Sequence, residues 1–161
     1  MRAHAISMRN TSNAVAAVLL ALLGAFLPQS GWAQSYPHSV ADLIARSKAQ
    51  VRTIDMATFK SALDKGSLGL IIDVREPAEY ADGHIPGAIN IPRGLIEFKI
   101  WSHVGFPDKV DMRAKITLYC GSGARSALTA KTLKDLKFRN VTSADMTVED
   151  WAKAGYPLVR G

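Results

Sequence analysis

Apolar positions change their spacing several times along this chain, and each change marks an element. Residues 14–27, AVAAVLLALLGAFL, form an uncharged apolar run. Residues 34–50 are polar and small, with a short helix expected over SVADLIARSK as a lead-in packed on the domain. VRTI at 51–54 has the length of a short strand, and Asp55 is placed to cap a helix that carries Phe59, Ala62 and Leu63 on one side and stops at Gly66. LGLIIDV, residues 68–74, is a compact apolar run suited to a strand buried on both faces of a parallel sheet.

The next stretch, REPAEYADGHIPGAINIP at 75–92, is punctuated by proline and glycine so often that only short turns and one helical turn are expected. Helical character resumes in GLIEFKIWSHV, and AKITLY at 114–119 reads as a second buried strand. A helix starting near Arg125 would place Leu128, Thr129, Thr132, Leu133 and Leu136 on one arc and Lys131, Lys134, Asp135 and Lys137 on the other. A short strand around NVTSA and a last helix, VEDWAKAG, close the chain. Alternating strands and helices imply an α/β domain whose mainly parallel sheet is covered on both faces. The whole chain, at 161 residues, is too short for two ordinary domains.

Charge changes the reading of the amino-terminal third. Arg2 and Arg9 precede the apolar run, and Pro28, Gly31 and Ala33 come after it, the layout of an export signal cleaved after Ala33. An uncleaved anchor is the alternative, but a span needs about 20 apolar residues and this run is shorter. The expectation is a signal at 1–33, a lead-in at 34–50 and the domain at 51–161, with no stable membrane anchor after processing and a bacterial periplasmic location. The net charge of +6 falls with the loss of Arg2 and Arg9, leaving 18 basic against 14 acidic residues. That mild positive field suits small anions. No nucleic-acid motif accompanies it, and the lysines at 131, 134 and 137 read as a solvated helix face. One cysteine and scattered histidines give no metal-ligand spacing, and no cofactor is implied.

The single cysteine lies in LYCGSGARSALTA, directly after the second buried strand. Exported domains use cysteines in pairs as disulfides, so Cys120 is a buried apolar filler, a link to another molecule or a working thiol. Its neighbours favour the last. The carboxyl end of a strand in an open α/β sheet is where ligands bind. A loop with Gly121 and Gly123 can turn successive N–H groups inward, the helix after it adds its dipole, and Arg125 adds a permanent charge. Such a ring favours a thiolate and holds an anion, so the loop suits displacement chemistry on anionic substrates.

Two thiol families use such a cradle. Cysteine phosphatases carry C-x5-R, whereas Cys120 to Arg125 is C-x4-R, and CGSGAR resembles the six-residue loop of rhodaneses, the sulfurtransferases. IIDVREPAEYADGHIPGAINIP and WAKAGYPLV are similar to that family's signatures over roughly residues 51–159. The resemblance implies a rhodanese-like five-stranded, largely parallel sheet between helices. It also implies Cys120 as nucleophile, the N–H groups of Gly121, Ser122, Gly123, Ala124, Arg125 and Ser126 as cradle, and Arg125 as holder of the donor anion. The reaction implied moves sulfur from an anionic donor such as thiosulfate, through a Cys120 persulfide, to cyanide or a thiol, with a protein acceptor as a further partner. Arg75 paired with nearby carboxylates including Asp73, and His84 as a turn-fixing hydrogen-bonder, are expected to support the loop. Ser122 either donates to the persulfide or caps the turn. Met146 and Thr147, where many rhodaneses carry two glycines, are expected to make the pocket wall bulkier. The alternatives are a sulfur-carrying or partner-binding module and, less well matched to the loop, a small cysteine phosphatase or arsenate reductase.

Overall fold

The computed structural model describes residues 37–161. The expected export signal and the first residues of the lead-in lie outside them. The elements are α1 (His38–Gln50), β1 (Arg52–Asp55), α2 (Met56–Asp64), β2 (Leu70–Asp73), α3 (Pro77–Asp82), β3 (Ile89–Asn90), α4 (Ile96–Lys99) between two 3-10 turns, β4 (Ile116–Tyr119), α5 (Ala124–Asp135), β5 (Val141–Asp145) and α6 (Val148–Lys153). They build a five-stranded sheet in the order β1-β5-β4-β2-β3 with every pairing parallel. No helix of the described residues is long and apolar enough to cross a membrane.

Local chemistry sets the boundaries. Asp55 ends β1 and caps α2 by accepting the Thr58 N–H at 2.8 Å, which satisfies one of the helix's orphan donors. Gly66 lies just past that helix in the left-handed region, φ 60°, a conformation other residues adopt only with strain. Thr147 caps α6 in the same way as Asp55, accepting the Asp150 N–H at 2.8 Å.

Side chains alternate across the central strands. Ile72, Val74, Ile116, Leu118 and Cys120 enter the core on one face with Ala130, Leu133 and Phe138, while Ile71, Tyr119 and Ala144 join Phe59, Met146 and Trp151 on the other. Three expectations are corrected. The stretch at 75–92 contains a strand, β3, at the sheet edge, where Ile89 pairs with Ile72 and Asn90 with Asp73; two residues are too few to leave a period. The face that α5 buries is Ser126, Ala127, Thr129, Ala130 and Leu133, rotated from the expected leucine arc. Its small residues let the helix approach β4 and β5 closely, while α1 packs along another side of it, so Leu128, Thr132 and Leu136 are only half-buried. Met146 is buried in the second core cluster and Thr147 is a cap, so Met146 fills core beside Phe59 and Trp151 rather than thickening a pocket wall.

Candidate active site

Parallel pairing puts the carboxyl ends of β2, β4 and β5 along one edge of the sheet, and the site grows there. Because Cys120 continues the alternation of β4, its side chain takes the face that Ile116 and Leu118 occupy, beneath the first turn of α5. The Ser126 N–H donates to Cys120 Sγ at 3.4 Å, and the thiol donates to Ser126 Oγ at 3.6 Å. Gly123 makes the bend, with φ 75° at the amino end of the helix. A Cβ there would stand 2.4 Å from Asp145 Oδ1 and 3.3 Å from its Cα, so a larger residue would also displace the Asp145 side chain.

A hydroxyl network underlies the sulfur. Ser143 Oγ donates to Ser126 Oγ at 3.0 Å, and Ser126 Oγ has the Gly123 and Ala144 carbonyls at 3.1 and 3.3 Å. A hydroxyl carries one proton, so Ser126 serves one carbonyl or an ionised sulfur, never all at once. Hydrogen bonds to charged groups contribute about 1.5–3 kcal/mol, and each ~1.4 kcal/mol is a factor of ten. Ser126→Ala, which keeps the N–H, is therefore expected to slow alkylation of Cys120 by iodoacetamide about tenfold at pH 7. An unchanged rate would assign the hydroxyl to the carbonyls alone.

The loop residues are distributed unequally. Gly123 and Ser126 are buried, Gly121, Ala124 and Arg125 half-buried, and Ser122 exposed. Among the described residues, the one backbone N–H within hydrogen-bond distance of Sγ is that of Ser126. Cys120 itself has no exposed surface. Reactive thiols are ordinarily partly exposed, so this sulfur is closed to solvent in the loop conformation seen here.

Arg125 is half-buried, and its guanidinium is already engaged. Its Nη1 and Nη2 donate to Glu79 Oε2 and Oε1 at 2.6 and 2.7 Å, a fork-to-fork pair lying against Gly121. These bonds from Arg125 hold the Glu79 carboxyl at about 2, and Glu79 in turn pushes the Arg125 guanidinium upward. Glu79 also accepts the Glu76 N–H at 3.1 Å, which ties the pair to the start of α3. On the other side of the loop, the Asp145 carboxylate beside Gly123 accepts from Lys48 Nζ at 2.6 Å. The cradle is thus flanked by two carboxylates and two cations.

Behind this ring stands a second, buried layer. The Arg75 guanidinium donates to both Asp73 oxygens at 2.6–3.0 Å and to the Gly83 carbonyl at 2.7 Å. Burial opposes its charge, yet the Asp73 hydrogen bonds and charge outweigh that and raise it. His84 stacks on Tyr80 with centroids 3.6 Å apart, its Nδ1 lies 3.0 Å from the Tyr80 carbonyl, and its main chain pairs with Val159. Asn90 Nδ2 donates to the carbonyls of Asp73 and Arg75 at 3.0 and 2.9 Å. Nothing in the residue pattern marks Ser143, Asp145 or Lys48 as site neighbours, since they come from elements remote in sequence from the loop. Glu79 carries a signal, its place in the family-like stretch IIDVREPAEYADGHIPGAINIP, without an indication of its partner.

Residues 55–154 match the rhodanese-like domain family. The chain belongs to that family. Among rhodanese relatives it is 30% identical over 107 residues to a putative sulfur carrier protein of Bacillus subtilis, an alignment covering 66% of this chain and 54% of that one. It is 29% identical over 109 residues to a sulfurtransferase of Allochromatium vinosum, covering 68% of this chain and 95% of that protein. A solved structure from Rhodopseudomonas palustris, of unknown function and described as a possible tyrosine phosphatase, superposes with a TM-score of 0.64 at 28% identity, over 80% of this chain and 100% of that one. The rhodanese domain here thus has sulfurtransferases among its relatives, and the chain spans about half the length of the Bacillus protein.

Proposed function

We propose that this chain is an exported sulfurtransferase that carries sulfur on Cys120. The observation that supports it most is the seat of Sγ at the carboxyl end of β4 under the first turn of α5, with the Ser126 N–H directed at it. In the first displacement, the Cys120 thiolate attacks the outer sulfur of an anion such as thiosulfate. The donor's S–S bond breaks, its electron pair leaves with sulfite, and a persulfide remains. In the second, cyanide or a thiolate attacks the outer persulfide sulfur and the pair returns to Sγ. Hydrogen-bond donors around the sulfur stabilise the charge at both stages. Gly121, Ser122, Gly123 and Ala124 supply the loop that must shift to admit the donor, and Arg125 meets the anion in competition with Glu79.

The full burial of Cys120 favours a second reading, a sulfur carrier loaded by a partner protein that opens the loop. Mass spectrometry of the purified protein after thiosulfate treatment decides between them. One added sulfur on Cys120, absent in Cys120→Ser, and subsequent turnover with cyanide are expected. Loading only in the presence of a second protein would favour the carrier, and no loading from any sulfane donor would defeat both.

A further inference from the structure

The opposite edge of the sheet, where β1 and β5 begin, holds a cavity of about 550 Å³ that no step of sulfur transfer uses. Its floor is apolar, formed by Val51, Phe138 and neighbours on α5 and β5. Its walls carry Arg52, Lys134, Lys137 and Arg139, and none of the described residues that line it is acidic. These cations come from three separate places: the start of β1, the end of α5 and the loop before β5. Lys134 is anchored, its Nζ donating to the Gln50 carbonyl at 2.6 Å, and the Arg139 main chain is fixed by its N–H bond to the Met112 carbonyl at 2.9 Å.

Lys137 supplies an independent sign. It lies just past α5 at φ 74°, a left-handed position where helices ordinarily place glycine. A lysine there costs backbone strain, and retained strain of this kind is a pointer to use. Here it sets a cation at the cavity wall. Clefts of ~300–1,000 Å³ with an apolar lining and a few convergent polar groups are the usual form of small-ligand sites.

We infer that this cleft binds an organic anion, a phosphate, sulfonate or carboxylate carried on an apolar body, with the body on Val51 and Phe138 and the charge held by Arg52, Lys137 and Arg139. A free metabolite and the headgroup of an anionic lipid share that chemistry. Binding there is independent of any activity at Cys120, which lies at the other end of the strands.

The test is a titration of the ¹⁵N-labelled full chain with 1-naphthyl phosphate, monitored by amide shifts. Saturable shifts centred on Val51, Arg52, Phe138 and Arg139 are expected. The double variant Arg52→Glu/Arg139→Glu should weaken the Kd at least tenfold, while Lys60→Glu/Lys153→Glu, an equal charge change elsewhere, should leave it within about twofold; such binding also weakens with salt. If the first double variant misfolds, Arg52→Gln/Arg139→Gln replaces it. Sedimentation with phosphatidylglycerol but not phosphatidylcholine vesicles, lost in the same variant, identifies a lipid headgroup as the source, and binding of the soluble probe alone identifies a free anion. Shifts elsewhere on the surface, no saturation, or equal weakening by both double variants would overturn the site.

Discussion

Replacing Arg75 by methionine is expected to lower the unfolding free energy by about 3–5 kcal/mol, read from urea or thermal denaturation, because it leaves a buried charge without its partner. Asp73 has no exposed surface and Arg75 is 6% exposed. Removing the guanidinium strips both Asp73 oxygens of their side-chain donors and leaves the Gly83 carbonyl without the 2.7 Å bond from Arg75. Domains of this size are stable by about 5–15 kcal/mol, so the loss is a large share of the whole. The double variant Asp73→Asn/Arg75→Met removes the stranded charge as well and is expected to recover part of the loss, a coupling that a simple packing defect would not produce. A loss below about 1 kcal/mol in the single variant would mean that the pair is peripheral to stability. The consequence reaches the site, since α3 and the turn at Gly83 are tied to the sheet through Arg75, and Glu79 sits on α3.

Local patterns and long-range partners differ in how far they can be read from the chain. Strands β2 and β4 are mostly apolar and end at Asp73 and just before Cys120, so their length and their parallel, covered setting are legible directly. Asp55 as a cap comes from local hydrogen-bonding chemistry, and the helix start at Gly123 from the left-handed backbone that glycine allows, so both are readable locally. Side-chain commitment across distance is not legible. Arg125, expected to hold a donor, has its fork occupied by Glu79, 46 residues away. Leucine spacing points to one face of α5, whereas proximity to the sheet selects small residues and gives Ser126 and Ala130 the buried places. Ser143 is silent because a serine in a strand carries no period of its own, and only the fold sets its hydroxyl against Ser126.

The pair of Glu79 and Arg125 gives the second large effect, one expected on the proposed sulfur transfer. Arg125→Ala removes the only cation within the Cys120 loop, and a lost charge-assisted contact of about 1.5–3 kcal/mol corresponds to a fall of roughly ten- to a hundredfold in kcat/KM with thiosulfate. Glu79→Gln is expected to act in the opposite direction on binding: it keeps an acceptor for the guanidinium but frees its charge, so KM for thiosulfate falls at low salt. In ~1 M salt, where screening acts within about 3 Å, that gain should disappear. The pH dependence has its origin in the same bond. The Glu79 carboxyl is depressed from 4.5 to about 2, first by the Arg125 hydrogen bonds, so its contribution is fully present above 4.5 and is lost as pH falls toward 2. With the pair's side chains 33% and 40% exposed, that contribution is limited to about 1 kcal/mol. The added loop opening that follows loss of this pair should therefore begin in acid below 4.5, and thiol–disulfide exchange between Cys120 and a neutral disulfide, corrected for thiol ionisation, should show the step in the native chain and not in Glu79→Gln. An Arg125→Ala variant with unchanged kcat/KM, or a Glu79→Gln variant with unchanged KM at low salt, would place this ion pair outside donor binding and leave it a brace for the loop.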